Sequence, residues 1–362
     1  KERLLLASGP LLSWYRREKR DLPWRENRDP YRIWISEIML QQTRVEAVIP
    51  YYHRFLQRLP NIQALADCPE EELLKLWEGL GYYNRVRNLQ KAAKVMVEEY
   101  GGEFPRTWEQ VRSLPGIGDY TAGAICSIAF DQPTPAVDGN VLRVLSRITD
   151  DHRDVTQNAV KQDFTEQLRQ VYPQGRCGDF TQSLMELGAI VCLPNGMPLC
   201  DKCPVREMCL GYERNTFLEL PVKPPKKARR KEQRTILILS CQGKYALQKR
   251  PDKGLLAGLW EFPNLEGKYT KPQLSAWLKE QGMEPLEITA GEKAVHIFSH
   301  IEWQMSSFHI RLARPAPEYT WADRKELEEI YSLPSAYNAF LGPILRGEGQ
   351  QTTFTGLLDG EE

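Results

Sequence analysis

The stretch LPGIGDYTAGAICSIAFDQPTPAVDGN, residues 114–140, is the part of the sequence that most clearly predicts the fold of the first half of this chain. Helical patterns lie directly before its Pro-Gly-Ile-Gly segment, at 108–114, and directly after it, at 119–129. Proline and glycine cannot continue a helix between the two patterns. The sequence therefore predicts a tight turn that joins two helices, a helix-hairpin-helix.

The two glycines of this turn, Gly116 and Gly118, allow a partner to approach the backbone closely. The free N–H groups and the positive dipole end of the second helix then point at an anion, which we expect to be a DNA phosphate. Asp138 follows twenty residues after Gly118, in a second turn with the sequence VDGN. The combination predicts a site at which a DNA backbone is held against a carboxylate.

Length and composition describe an ordinary globular protein of more than one domain. The 362 residues are 41% hydrophobic and 27% charged, which predicts two or three domains. No apolar run approaches the roughly 20 residues of a membrane span, and the first residues lack the apolar centre of a signal peptide, so we expect an intracellular protein without a membrane partner. Because 48 basic residues balance 48 acidic ones, any affinity for nucleic acid must come from local basic surface.

Residues 1–220 are predicted to be mostly helical, without strand alternation or a βαβ unit. Besides the two helices of the hairpin, helical patterns cover residues 4–17, 33–55, 73–80, 83–100, 141–148, 159–171 and 179–191. Glu37 lies one residue away from the apolar stripe of the helix at 33–55. Spacing alone is equally consistent with an acid in a first helical turn, where the helix dipole favours it.

Tyr82 lies in a break between two helical patterns, flanked by Gly81 and followed by Arg85 and Arg87. An aromatic ring beside arginines can wedge between bases or stack on them while the cations bind phosphates. A tyrosine packed in a helix junction is the alternative, and composition does not exclude it.

Cys192, Cys200, Cys203 and Cys209 are spaced C-x7-C-x2-C-x5-C in a loop that is rich in Pro and Gly. Four thiolates can hold a tetrahedral zinc ion or a [4Fe-4S] cluster, so ligand chemistry leaves both open. Zinc modules usually contain two short Cys pairs, and only Cys200 and Cys203 form one here. The other four cysteines are dispersed and are expected to be buried small apolar residues.

The second half of the chain changes character after a linker predicted at 221–234, PVKPPKKARRKEQR, which has three prolines and seven basic residues against one acid. The second domain is expected at 235–345, and residues 346–362 are predicted to be a disordered acidic tail. Within the second domain, strands are expected at 235–241, 245–250, 294–299 and 303–313, and helices at 273–281 and 336–345.

The hairpin with its downstream Asp138 resembles the endonuclease III superfamily of DNA glycosylases. Other stretches narrow the resemblance to the adenine DNA glycosylases of the MutY family: PWRENRDPYRIWISEIMLQQT at 23–43, LWEGLGYYNRVRNL at 76–89, the four-cysteine loop and FSH at 298–300. The resemblance implies an all-α helix-hairpin-helix glycosylase domain linked to a Nudix-like α+β domain. A working Nudix hydrolase needs a glutamate-rich REXXEE helix, which is missing here, so we expect this domain to read a nucleotide without hydrolysing it.

The resemblance assigns roles in the removal of adenine from DNA. It makes Glu37 the acid that protonates adenine and Asp138 the carboxylate that stabilises the developing sugar cation or bonds to it. Tyr120 and Asn140 would position the sugar and Asp138, and Arg25 would lie in the wall of the pocket.

The DNA contacts implied by the resemblance come from the hairpin, from the motifs before it and from the second domain. Tyr82 would be inserted beside the oxidised guanine, Gln42 would fill the gap left by the extruded adenine, and Ser299 would contact the oxidised guanine. The full set of expected contact residues is Gln42, Thr43, Leu80, Tyr82, Gly116, Gly118, Phe298, Ser299 and His300.

For the four cysteines the resemblance favours a structural [4Fe-4S] cluster, because the superfamily binds one through C-x6-C-x2-C-x5-C. The first gap is one residue longer here, an insertion that a loop containing Gly196 should absorb. The implied partner is double-stranded DNA with adenine opposite 8-oxoguanine or guanine, bound by a monomer. The implied location is cytoplasmic, and nucleoid-associated in a bacterium.

Position 120 separates two neighbouring activities. Bifunctional relatives have a Lys two residues after the hairpin, whose amine forms a Schiff base with the sugar and leads to strand cleavage. Since this chain has Tyr120, we predict base removal without a strong lyase step. Two alternatives remain: an endonuclease III-like enzyme for damaged pyrimidines, which the missing Lys opposes, and a catalytically silent lesion binder, which the two carboxylates oppose.

Overall fold

The computed structural model describes residues 2–225 and 228–347. The contacts within these residues divide them into two compact units, one of 2–68 and 84–225 and the other of 69–83 and 228–347. Most of the predicted acidic tail, from residue 348 onwards, lies outside the described residues. Within the described part of the chain, none of the helices combines the length and the apolar character needed to cross a bilayer.

The first unit is helical, as predicted. The helices up to α12 are α1 (Glu2–Glu18), α2 (Pro30–Leu40), α3 (Val45–Arg58), α4 (Ile62–Asp67), α5 (Glu70–Trp77, in the second unit), α6 (Asn84–Tyr100), α7 (Trp108–Ser113), α8 (Asp119–Phe130), α9 (Gly139–Thr149), α10 (Asn158–Arg169), α11 (Cys177–Ile190) and α12 (Leu210–Glu213). Apolar stripes of α1, α9, α10 and α11 meet in one core, where Leu11, Leu145 and Phe164 are almost fully buried. Burial of these stripes holds the helices together.

The single helix predicted at 33–55 is wrong, because α2 ends at Leu40 and α3 begins at Val45. Gln42 adopts a left-handed backbone with φ of 59° between the two helices. The guanidinium of Arg85 donates to the carbonyls of Ile38 and Met39 at 2.8 and 3.1 Å. A cation that satisfies the last carbonyls of a helix stabilises its end. Arg85 therefore ends α2 here, whereas the sequence pattern suggested a phosphate contact.

The predicted helix-hairpin-helix is present between α7 and α8. Gly116 has a φ of 76°, a left-handed conformation that favours glycine. A Cβ at this position would also lie 2.6 Å from Cβ of Asn88, so the turn packs against α6 at van der Waals limits. Gly118 is the N-cap of α8, and nothing lies within 4 Å of the position that its Cβ would take. The turn is thus fixed on one side and open on the other.

The second unit is an α+β fold with helices on both faces of a sheet. Its further elements are β1 (Arg230–Cys241), β2 (Lys244–Lys249), β3 (Trp260–Glu261), β4 (Asn264–Glu266), α13 (Lys271–Glu280), β5 (Pro285–Ile297), β6 (Ile301–Leu312), β7 (Thr320–Ala322), α14 (Arg324–Glu329) and α15 (Asn338–Arg346). The sheet order is β3-β2-β1-β6-β5; β1 and β6 are parallel, and β4 and β7 pair with β1 and β2. One face buries Ile236, Trp303 and Phe340, and the other buries Leu237 and Leu274.

The predicted linker at 221–234 is too long at its C-terminal end, because β1 begins at Arg230. The first four residues of β1 are polar or charged, but they pair with the start of β6, from Arg230 opposite Ile301 to Gln233 opposite Gln304. Pairing with a distant strand, which residue composition does not reveal, decides this boundary.

Candidate active site

A cavity of about 600 Å³ in the first unit contains every residue that was expected to take part in catalysis. These residues are Arg25, Glu37, Tyr120, Asp138 and Asn140, and Gln42 and Thr43 line the same cavity. Protein pockets for small ligands typically enclose about 300–1,000 Å³, so a single nucleobase with its sugar fits. The structure therefore brings together the residues that the sequence placed far apart.

Glu37 lies in the eighth position of α2, not in the first helical turn. Asp29 caps this helix by accepting a hydrogen bond from the N–H of Tyr31, and Pro30 occupies the first helical position, so the start of α2 is well defined. The residue is 7% exposed. Burial raises the pKa of Glu37 to about 7, and the nearby charge of Asp138 acts in the same direction. Its carboxyl group can therefore carry a proton near neutral pH.

Tyr120 is held over Glu37 by the hairpin itself. Because Gly118 is the N-cap of α8, Tyr120 is the second residue of that helix. Its hydroxyl donates to Oε2 of Glu37 at 2.7 Å. This hydrogen bond favours the ionised carboxylate and so lowers the pKa of Glu37 against the larger effect of burial. The turn that was expected to hold DNA thus also determines the environment of the acid.

Asp138 is the N-cap of α9, and this determines the direction of its carboxylate. Oδ1 accepts the N–H of Val141 at 2.7 Å, and Oδ2 accepts Nδ2 of Asn140 at 3.1 Å. Burial raises the pKa of Asp138, but both hydrogen bonds and the charge of Arg143 act in the opposite direction. The two carboxyl groups of the cavity therefore differ in the interactions that stabilise their ionised forms. Glu37 accepts one hydrogen bond, whereas Asp138 accepts two and also lies near the charge of Arg143.

Asn140 connects Asp138 to the interior of the unit. Its Oδ1 accepts Nη2 of Arg143 at 3.0 Å, and the same nitrogen donates to the carbonyl of Gly188 at 2.6 Å. Nε of Arg143 donates to the carbonyl of Cys192 at 2.8 Å. A Cβ at Gly188 would lie 2.8 Å from Cβ of Asn140, so the glycine lets α11 approach this network closely. The position of Asn140 thus depends on the first cysteine of the four-cysteine loop.

A buried ion cluster that the sequence pattern did not indicate holds Arg25 in place. Nη2 of Arg25 and Nη2 of Arg20 both donate to Oε2 of Glu186, at 2.7 and 3.0 Å, and Glu186 is fully buried. Burial opposes the charge of Glu186, but the two arginines outweigh it and hold its pKa at about 2. The only signal in the sequence was an acid within the apolar helical stretch LMELGAI. Its partners lie more than 160 residues away.

The four cysteines of the predicted metal site line one cavity, together with apolar side chains of α9 and α11 such as Val144 and Leu187. Burial raises the pKa of Cys203 to about 12 and that of Cys209 to about 11. Within residues 2–225 and 228–347, no group of three or more His, Cys, Asp and Glu side chains is arranged to hold a single metal ion. Cys192 and Cys200 supply the other two thiols. Four thiols around one cavity fit a positively charged group that binds thiolates, because its charge compensates the negative charge that burial disfavours.

Residues expected to touch the base opposite the adenine lie in the second unit. The hydroxyl of Tyr82, a residue that is half exposed and has a φ of 47°, lies 2.8 Å from Oγ of Ser299. Phe298 packs edge-on against Trp303, with ring centroids 4.9 Å apart, and thereby holds the turn between β5 and β6. Ser299 and His300 at the tip of this turn are exposed, whereas Leu80 is 7% exposed.

Family models match both parts of the chain. Residues 35–170 match the HhH-GPD superfamily of base excision DNA repair proteins, and residues 234–342 match the NUDIX domain. A thermostable thymine-DNA glycosylase has a similar structure, with a TM-score of 0.54 and 31% identity over 59% of this chain and 98% of its own. A trapped endonuclease III–DNA intermediate shares the fold at a TM-score of 0.51 and 23% identity, over 59% of this chain and 97% of its own. The fold and the paired carboxylates define a helix-hairpin-helix base excision repair protein with a Nudix-like domain.

Relatives narrow the class further. The adenine DNA glycosylase of Mus musculus is 40% identical over 83% of this chain and 70% of its own length. The enzyme of the same name from Buchnera aphidicola (strain Sg) is 35% identical over 82% of this chain and 84% of its own length. The chain belongs to the adenine DNA glycosylases, the MutY family, hydrolases that cleave the N-glycosidic bond of adenine in base excision repair. The predicted family, fold class and enzyme class are confirmed.

Replacement of Glu37 by Gln should increase stability relative to the wild type more at pH about 8 than at pH about 5. The folded pKa of Glu37 is about 7 and the ordinary value is 4.5, so the folded state binds the extra proton between these values. The free energy of unfolding of the wild type therefore falls as the pH rises through this range, and the Gln variant escapes this loss. The free energy of unfolding of the variant minus that of the wild type should increase by up to about 3 kcal/mol between the two pH values, as measured by urea denaturation.

The control for this measurement is Glu109→Gln, on the exposed surface of α7. The control should show the same pH dependence as the wild type. If the free energies of unfolding of Glu37→Gln and of the wild type differed by the same amount at both pH values, this result would contradict the raised pKa of Glu37.

Proposed function

We propose that this enzyme removes adenine that is paired with 8-oxoguanine or with guanine in double-stranded DNA, and that it leaves an abasic site. The observation that carries the proposal is the buried carboxyl of Glu37, with a pKa of about 7, in one cavity with Asp138. Loss of adenine from a sugar needs a proton on the leaving base and a negative charge near the developing oxocarbenium ion. Two carboxyl groups in different environments supply both.

Glu37 is the general acid of this proposal and delivers its proton to N7 of the extruded adenine. Tyr120 orients the carboxyl group through its 2.7 Å hydrogen bond to Oε2, which leaves Oε1 to face the base. A pKa near the working pH gives a general acid both a useful protonated fraction and enough acidity to donate. Removing the proton donor should therefore abolish departure of the base without dismantling the pocket.

Asp138 is the carboxylate that stabilises the positive charge on the sugar or bonds to it transiently. Its hydrogen bonds from Val141 and Asn140 hold both oxygens in fixed positions before the charge develops. Such preorganisation costs no rearrangement during the reaction. Water then completes hydrolysis of the glycosidic bond. Because Tyr120 stands where bifunctional relatives have a Lys, no amine is available there for a Schiff base, and base removal is the main reaction.

DNA is held in this proposal by the open side of the hairpin turn. Gly118 leaves space for a phosphate at the N-terminus of α8, where free N–H groups and the helix dipole favour an anion. Gly116 supplies the left-handed backbone conformation of the turn that precedes these groups. Gln42, which lines the catalytic cavity together with Thr43, fills the gap that the extruded adenine leaves, and Thr43 is a further DNA contact. A monomer is sufficient, since every proposed catalytic group belongs to one chain.

The base opposite the adenine is read by the second unit in this proposal. Tyr82 enters the duplex beside it, Leu80 supports the same turn, and Ser299 contacts its oxidised edge, with Phe298 and His300 on either side. The paired hydroxyls of Tyr82 and Ser299 present a hydrogen-bond donor and an acceptor at one point. 8-Oxoguanine carries N7–H and a C8 carbonyl where guanine has only an N7 acceptor, so this pair can distinguish the two.

The four cysteines are proposed to hold a structural [4Fe-4S] cluster. Cys192, Cys200, Cys203 and Cys209 share one largely apolar cavity, and such a cluster takes four thiolates. Arg147 donates to Sγ of Cys192 at 3.3 Å, which suits a sulfur that carries negative charge. The cluster would fix the loop whose carbonyl, at Cys192, positions Arg143.

The proposed reaction is tested by release of adenine from duplexes with adenine opposite 8-oxoguanine or guanine under single-turnover conditions. The wild type should give alkali-dependent cleavage at the adenine, and Glu37→Gln and Asp138→Asn should each lose at least about a thousandfold in rate, the scale for removal of essential acid or electrostatic groups. Strand cleavage without alkali would support an endonuclease III-like lyase. Tight binding without release would support a silent lesion binder.

The proposed cluster is tested by iron and acid-labile sulfide analysis of anaerobically purified protein. About four iron atoms per chain are expected, as for any such cluster, and Cys203→Ser should lose most of them. The control is Cys126→Ser, a buried thiol outside the loop, which should retain the iron. One zinc per chain and no iron would refute the proposed cluster.

A further inference from the structure

The segment 69–83, which contains α5 and Tyr82, lies between two parts of the helical unit in sequence but belongs to the second unit by its contacts. Nζ of Lys75 lies 3.5 Å from the carbonyl of Leu327 and 3.2 Å from that of Tyr331. These carbonyls belong to the last turn of α14 and the residues after it, where a cation is favourable. Within the second unit, Lys75 therefore connects α5 to the C-terminal end of α14.

Glu78 makes a second connection at the same place. Its Oε1 accepts the N–H of Leu333 at 2.9 Å, and its Oε2 lies 2.6 Å from Nζ of Lys75. Oγ of Ser332 donates to the carbonyl of Leu74 at 3.3 Å. Ser332 and Leu333 are 4% and 2% exposed, so these bonds reach into the interior of the second unit. Lys75 and Glu78 form an ion pair, and both side chains also contact backbone groups of the residues that follow α14.

The same segment fixes the turn that carries Tyr82. Trp77 is fully buried, and its Nε1 donates to the carbonyl of Gly81 at 3.0 Å. The next residue, Tyr82, has the left-handed backbone already described and places its hydroxyl 2.8 Å from Oγ of Ser299. Only three residues lie between Glu78 and Tyr82, so a shift of α5 displaces the hydroxyl directly.

Ser299 is held independently by the sheet of the second unit. The N–H of Phe298 donates to the carbonyl of Ile301 at 2.8 Å and closes the turn between β5 and β6. The ring of Phe298 packs on Trp303, which is fully buried. The two hydroxyls therefore meet only if α5 and the sheet keep a fixed relation, and the Lys75–Glu78 pair contributes to that relation together with the hydrogen bond from Ser332 to Leu74.

We propose that residues 69–83 are a working part of the lesion-recognition unit, and that Lys75 and Glu78 are positioning residues that set the preference for 8-oxoguanine over guanine. This inference rests on the function proposed above. Preorganisation of Tyr82 against Ser299 lowers the cost of presenting both hydroxyls to the oxidised base. Guanine lacks the N7–H and C8 carbonyl, so it gains less from this arrangement. Lys75 and Glu78 therefore act on selectivity without touching the DNA.

The test compares single-turnover adenine release from duplexes with adenine opposite 8-oxoguanine and opposite guanine for Lys75→Met. The ratio of the two rates should fall about three- to tenfold, the scale of coupling between residues in one hydrogen-bond network. The fall should come from the 8-oxoguanine duplex. Lys325→Met is the matched control, because this lysine of α14 is exposed and pairs only with Glu329 in the described structure; it should leave the ratio unchanged.

Two further variants separate positioning from loss of folding. Glu78→Gln keeps an acceptor for the N–H of Leu333 but loses the ion pair, so it should lower the ratio less than Glu78→Ala. In a Ser299→Ala background, Lys75→Met should lower the ratio no further, because its effect passes through Ser299.

An unchanged ratio in Lys75→Met, an equal fall on both duplexes, or full additivity with Ser299→Ala would overturn the inference while leaving the proposed function intact. A wild-type enzyme that releases adenine from neither duplex would overturn both.

Discussion

The carboxyl group of Glu37 is buried with one strong hydrogen bond, from Tyr120, and the other polar groups of the cavity are arranged around it. Burial raises the pKa of the acid, and the single hydrogen bond limits the rise. The hairpin turn supplies that hydrogen bond, because Gly118 begins the helix in which Tyr120 is the second residue. The motif that was expected to bind a phosphate therefore also determines the chemistry of the cavity.

Helix α9 connects the cysteine loop to the second carboxylate of the cavity, Asp138. Its N-cap is Asp138, and the next turns contain Asn140, Arg143 and Arg147, whose side chains hydrogen-bond along the helix and into the loop at Cys192. Arg143 is 5% exposed and makes three hydrogen bonds, so its charge is well satisfied inside the protein. Asp138 is thus oriented by Asn140, which lines the cavity, and Asn140 is held in turn by Arg143, which does not line it.

The sequence predicted the features that depend on local chemistry and missed those that depend on distant partners. The hairpin, the all-helical first unit and the α+β second unit were foreseeable from glycines, apolar periodicity and strand alternation. The break between α2 and α3 was not, because Arg85 ends α2 from a later helix. The buried partners of Glu186 and the assignment of α5 to the second unit were missed for the same reason. Such long-range contacts leave little trace in composition or spacing.

The dependence of single-turnover adenine release on pH reveals whether the buried carboxyl group of Glu37 gives its proton to the adenine. The rate constant of the wild type should fall as the pH rises through about 7. Tyr120→Phe removes the hydrogen bond that lowers the pKa of Glu37, so its fall in rate should move to higher pH whatever its absolute rate. A rate that does not change with pH, or a fall at the same pH in both proteins, would contradict the account.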